Sequence, residues 1–314
     1  MASLKHQFLT AIDRNFNESG SDKHSAKGGQ HSGTEETMGR VWSYAERKSL
    51  IDISSQLAVY CKDTFGIKQI KDITANNIQD FLKNKASECN HNTLENYVSR
   101  LNKMEVLINK TFSSANVDWR GNIVAPTSEI SMSGKTRNIW MDKVHFEQIL
   151  DYGKDSKSLA PIGVELAGMF GLRVSECEKL QLRDINFNKM IVHIHQSKGG
   201  KSRDIPMTHE QTERLKDIIN ERELTNGTDK IVGIKAESIN RWLNRACSSE
   251  ELKLNQYCDS KSGIHSIRKM WAQEQYDNFR NEGYSRKESI DKVSMLLGHG
   301  ENRRDIAEAY IKSM

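Results

Sequence analysis

Gly171-Leu172-Arg173-Val174-Ser175-Glu176, following the apolar run from Ala160 to Phe170, is where the reading of this chain turns. The run reads as a buried helix, and Gly171 suits the left-handed residue that ends one. Ser175 then opens a second helix, with Glu178 completing a capping-box pattern. Arg173 therefore falls in a tight helix-to-helix turn, a place where a side chain is held rigidly.

Further along, Met190 to His195 alternates as a strand does, Ser197 to Gly200 is turn chemistry, and Ser202 to Met207 can return as the partner strand. Lys198 would ride the tip of that hairpin. His265 and Arg268 stand three apart on a helix starting near Ile264, so both point the same way. Ser285 and Glu288 cap another helix; its stripe of Ile290, Val293 and Leu297 delivers His299 at its end. Tyr310 is expected on a short final helix beginning near Arg303.

The chemistry of this set is coherent. Two arginines that keep their charge can hold a phosphate as it gains negative charge. A lysine and two histidines can move protons, and a tyrosine hydroxyl can attack phosphorus. Each residue alone has an ordinary reading: a solvated arginine, a turn lysine, a capping histidine, a tyrosine packing its ring on a core. Six such coincidences in this order are harder to accept than one site.

The order Arg173, Lys198, His265-x-x-Arg268, Leu297-Gly298-His299, Tyr310 resembles that of the tyrosine recombinase (lambda integrase-like, phage integrase) family, from about Ile139 to Tyr310. The resemblance implies metal-free, ATP-free transesterification with no cofactor. It assigns catalytic roles to Arg173, Lys198, His265, Arg268, His299 and the nucleophile Tyr310, with Glu176 orienting a neighbour. His299 and Tyr310 are eleven residues apart, wider than is usual in the family, with Asn302, Arg303 and Arg304 in the gap. The implied function is a site-specific DNA recombinase working through a 3'-phosphotyrosyl intermediate, with the integrase of a phage or other mobile element as the favoured reading. Integration, excision, inversion and dimer resolution share this chemistry. The alternatives are a type IB topoisomerase-like relaxation enzyme and an inactive DNA-binding regulator of the same fold. Implied partners are double-stranded DNA attachment sites, a homo-tetramer on DNA and an accessory directionality factor. In many relatives a segment after the nucleophile ties protomers together; Ile311 to Met314 follow Tyr310 here.

Composition bounds the reading more loosely. A chain of 314 residues is long enough for two cores. Its net charge of +4, from 46 basic and 42 acidic residues, and its pI of 8.6 do not by themselves argue for nucleic acid. A mean hydropathy of -0.68 suits large polar surfaces. Five cysteines without a C-x-x-C pair favour reduced thiols in a cytoplasmic setting. His193 and His195 share a strand face, but no zinc spacing surrounds them, so no metal is expected. Gly200-Lys201-Ser202 resembles the end of a phosphate-binding loop, yet His195 occupies the upstream glycine position. Neither a signal peptide nor a membrane-spanning stretch is read.

The expected fold is mainly α with a small antiparallel sheet: a helical core-binding domain plus a mixed α/β catalytic domain. Residues 1–38 read as an amphipathic helix (Leu4, Phe8, Leu9, Ile12, Phe16) and a tether over Glu18 to Glu36. Residues 39–115 read as the helical DNA-binding domain, with helices over Ser43–Phe65, after Thr74 to Lys85, and from Asn92-Thr93. Residues 116–137 read as a linker and 138–314 as the catalytic domain. Lys83, Lys85, Arg100 and Lys103, with Lys201 and Arg203 on the hairpin, are candidate phosphate contacts; for each the alternative is an ordinary solvated face.

Overall fold

The computed structural model describes residues 2–16, 35–130, 139–195, 202–258, 263–300 and 309–312, which fall in two compact units, Met1–Ser133 and Gly134–Met314. The fold is mainly helical, with one small antiparallel sheet. Among the described residues no helix is long and apolar enough to cross a membrane. All five cysteines are free thiols.

In the first unit, α1 (Leu4–Arg14) starts at Ser3, whose hydroxyl accepts the His6 N–H at 3.3 Å. It buries Leu4, Phe8, Ala11 and Ile12. A short α2 (Glu35–Met38) precedes α3 (Tyr44–Phe65), which is capped by Ser43 and ends at Gly66 with φ +68°. A Thr74–Asn77 capping box starts α4 (Ala75–Lys85), and Asn90 caps α5 (His91–Thr111). These helices enclose one core, and α1 is part of it. The N-terminal helix thus belongs to the helical unit instead of forming a separate segment over 1–38. Most of the expected tether lies outside the described residues.

The described part of the expected linker is also packed structure. Val117, Trp119 and Ile123 are buried in the same core. The Trp119 indole donates to the Leu101 carbonyl at 2.9 Å, and Glu129 N–H donates to the Ala86 carbonyl at 2.9 Å. A buried tryptophan anchors its segment in a way that turn-rich composition does not reveal.

Lys103 departs from its expected place. It is 5% exposed, with Nζ 2.9 Å from the Glu46 carboxylate and 3.3 Å from the Thr37 carbonyl. Its role is to neutralise a buried carboxylate, which needs a partner once out of water. Arg100 lies 3.5 Å from the same carboxylate. Lys83 is exposed, and Lys85 pairs with Glu88 at 2.7 Å.

The second unit starts with α6 (Lys143–Gly153), followed by the apolar α7 (Ala160–Phe170) and the short α8 (Val174–Lys179). Strands β1 (Ile185–Asn186), β2 (Ile191–Ile194) and β3 (Arg203–Pro206) pair antiparallel in that order. Their register aligns Ile185, Val192 and Ile205 as one buried apolar row. Next come α9 (His209–Glu221), α10 (Ala236–Cys247), α11 (Ile264–Asn281) and α12 (Arg286–Leu296). Close approach around α7 depends on glycine: a Cβ at Gly168 would lie 2.1 Å from the Phe146 ring.

The start of α8 lies two residues earlier than expected. Arg173, and not a later serine, is the N-cap, and its backbone N–H donates to Glu176 Oε2 at 2.9 Å. Glu178 serves a different helix: its carboxylate accepts the Ala236 N–H at the start of α10 at 2.9 Å. A capping-box pattern two residues downstream was therefore filled by a tertiary contact.

Candidate active site

Three separated stretches of the second unit meet around Tyr310. Gly171 closes α7 in the left-handed region at φ +58°, where a Cβ would lie 2.2 Å from the Trp271 ring on α11. The chain thereby turns tightly against α11 and presents Arg173. From α11 itself come His265 and Arg268; from the end of α12 comes His299, after Gly298 at φ +70°.

Tyr310 is 8% exposed and sits in a turn. The His265 ring centroid is 5.0 Å from its own, the His299 centroid 5.2 Å, and the Arg268 guanidinium carbon 5.6 Å. Arg268 is fully buried. Its guanidinium donates to the Gly171 and Leu297 carbonyl oxygens, so it ties together the two backbone turns that carry Arg173 and His299.

Glu176 organises the arginines. Oε1 accepts from Arg173 at 2.9 Å, and the two carboxylate oxygens take a bidentate pair from Arg203 at 3.0 and 2.8 Å. Arg268 lies 3.9 Å from the same carboxylate. Three guanidiniums around one carboxylate leave this group of four side chains with excess positive charge. Burial, and then the like charge of Arg173, push the Arg268 guanidinium down to about 9, so it remains cationic at neutral pH. An anion arriving beside it would restore the balance. A cleft of about 330 Å³ opens there, lined by Leu172, Arg173, Asn240, Asn244, His265 and Arg268 among others.

Arg203 is the clearest correction to the sequence reading. Expected as a DNA contact, its side chain is 5% exposed and committed to Glu176. It shares the buried face of β3 with Ile205, and its guanidinium would lie 3.0 Å from a Cβ at Gly298. Lys198 and Lys201 lie outside the described residues, as does the expected helix from Arg303 up to residue 308. His193 and His195 pair with carboxylates instead: Nδ1 of His193 is 2.5 Å from Asp204, and Nε2 of His195 is 3.1 Å from Asp184. Among the described residues no group of three or more His, Cys, Asp or Glu side chains could hold a metal ion. The sequence reading missed Asn240 and Asn244, although their i, i+4 spacing puts them on one face of α10.

The fold has close counterparts. XerH site-specific recombinase bound to palindromic difH substrate superposes with a TM-score of 0.65 at 16% identity, covering 99% of this chain and 93% of the other. A lambda integrase(75-356) dimer bound to a COC' core site gives 0.63 at 14% identity, over 86% and 89%. The Tn1549 transposon integrase in complex with transposon right end DNA gives 0.61 at 12% identity, over 100% and 96%. No curated protein sequence matches significantly. The family model for the phage integrase family matches residues 140–313, more than half of the chain and the whole of the region in which Arg173, His265, Arg268, His299 and Tyr310 converge; the chain belongs to the phage integrase family.

Proposed function

We propose that the protein is a site-specific DNA recombinase that cleaves and rejoins DNA through a 3'-phosphotyrosyl intermediate, as the integrase of a phage or other mobile element. The observation that carries this reading is the convergence of Tyr310 with His265, His299 and Arg268 beside the Arg173 turn.

In the proposed reaction the Tyr310 hydroxyl attacks the scissile phosphorus, forming a phosphotyrosyl bond and breaking the bond to the 5'-oxygen. A phenol is a weak nucleophile until its proton is taken, and His265 is the base assigned to it. Arg173 and Arg268 hold the non-bridging oxygens, where a planar fork matters more than charge alone. His299 donates to the phosphate, and Lys198 protonates the leaving 5'-oxygen. Because the bond energy is kept in the covalent intermediate, a second 5'-hydroxyl can reverse the attack without a cofactor. The partners proposed are double-stranded attachment sites, further copies of this chain in a tetramer on DNA, and a directionality factor, all in the cytoplasm. Of Lys83, Lys85, Arg100 and Lys103, the cations of the first unit expected to meet phosphate, Lys83 is the exposed one.

The test is a nicked suicide DNA carrying the element's own attachment site, run on a denaturing gel with wild type beside Tyr310→Phe. A covalent adduct in wild type alone is expected. Binding to that site without an adduct would favour a DNA-binding regulator. Relaxation of supercoiled plasmid with no strand exchange would favour the topoisomerase-like alternative.

A further inference from the structure

Two hydrogen bonds tie the backbone around Tyr310 to side chains that have no part in the reaction described above. Trp140 Nε1 donates to the Tyr310 carbonyl oxygen at 2.8 Å, and Gln273 Oε1 accepts the Lys312 N–H at 2.7 Å. Ile311, between the two bonded residues, is 9% exposed and belongs to the core of the second unit.

Both partners are anchored to α11, the helix that carries His265 and Arg268. Gln273 lies on it about two turns beyond His265, and its amide nitrogen donates to Asp277 at 2.9 Å, which leaves the amide oxygen for Lys312. Trp140 is fixed through its neighbour, because Met141 N–H donates to the Ser266 carbonyl at 3.0 Å. Its ring is also covered by Lys269, whose ammonium lies 4.1 Å from the ring centroid and whose residue is 2% exposed. A cation removed from water over an indole face is among the stronger contacts of its kind. Burial pushes that ammonium down from its ordinary range, in keeping with its enclosure against the ring.

We propose that Trp140 and Gln273 are positioning residues that latch the Tyr310 segment onto α11, so that the nucleophile, His265 and Arg268 share one frame. This rests on the assignment of Tyr310 as nucleophile. Neither residue touches the reacting atoms, so losing either should slow cleavage while leaving DNA affinity alone. Small misplacements of a reacting group are costly: about 1 Å can cost on the order of 100-fold in rate.

The test uses the full chain. Trp140→Phe keeps an aromatic face for Lys269 and deletes the donor; Gln273→Met keeps the length and deletes the acceptor. Each is expected to form the covalent adduct roughly tenfold more slowly, as the loss of one neutral hydrogen bond implies. Affinity for the same DNA should stay within about twofold of wild type, since no phosphate contact is removed. Hydrogen exchange at the Lys312 amide should speed up in Gln273→Met. A double variant that cleaves at the wild-type rate, or unchanged exchange at Lys312, would overturn the latch. If Trp140→Phe melts early, Gln273→Met alone decides. Absence of adduct in wild type would count against the recombinase reading itself, while exchange at Lys312 would still report on the latch.

Discussion

Glu176 is the residue on which the arginine cluster depends. It is 6% exposed and contacts Arg173, Arg203 and Arg268. Glu176→Gln keeps the shape but leaves three neighbouring cations without their anion. Breaking a buried pair in this way costs about 3 kcal/mol or more. The urea midpoint should fall with an unchanged slope, and a variant as stable as wild type would contradict the assignment. Arg173, at 20% side-chain exposure, is less buried, so Arg173→Lys should cost less stability. It should instead slow adduct formation by about 100-fold, since a lysine cannot offer a fork to a phosphate. Single-turnover cleavage measures this directly. Most of the cluster was legible because arginine, histidine and tyrosine in a fixed order carry chemistry in their identities. Arg203 was not, because whether an arginine meets solvent or a carboxylate depends on what packs opposite it in space. One signal was present: the alternation of Arg203-Asp204-Ile205-Pro206 puts Arg203 on the same face as Ile205.

At the scale of the element, the turn from α7 to α8 sets the direction of Arg173. Gly171 stands at φ +58°, and any Cβ there would strike the Trp271 ring. Trp271 is itself held to the end of α7 by its indole, which donates to the Met169 carbonyl at 3.1 Å. Gly171→Ala therefore combines left-handed strain, about 1–2 kcal/mol, with a displacement of Trp271 or of the turn. A loss of at least about 2 kcal/mol is expected in chemical denaturation, with adduct formation reduced because Gly171 also supplies a carbonyl to Arg268. An alanine variant with wild-type stability and cleavage would show that the turn tolerates a side chain. The end of α7 was legible from the apolar run and its glycine. The start of α8 was misplaced because the residues that cap it, Arg173 and Glu176, are also the ones that build the site. Their identities suggest chemistry before they suggest a helix boundary.

At the scale of the whole molecule, each unit encloses its own core, and the first draws on residues far apart in the chain. The amphipathic spacing of Leu4, Phe8 and Ile12 announced a helix. It could not say which surface the helix would cover, because packing partners are not encoded in periodicity. In the structure α1 lies against α3 and α5, with Phe8 at 1% exposure and Ile12 at 0%. Asn15 and Val41 add a backbone hydrogen bond of 2.8 Å. Burying side chains of this size stabilises by about 2 kcal/mol each. Removing residues 2–16 would therefore take roughly 5 kcal/mol or more from the first unit, a large part of the stability of a typical domain, and uncover the apolar faces of α3 and α5. The deletion variant should lose a cooperative melting transition belonging to the first unit while the second unit keeps its own, because no residue of α1 enters the second core. Calorimetry of the full chain and the deletion variant separates the two. An unchanged pair of transitions would mean that α1 is a dispensable appendage, and the burial of Phe8 and Ile12 would then have to be energetically idle.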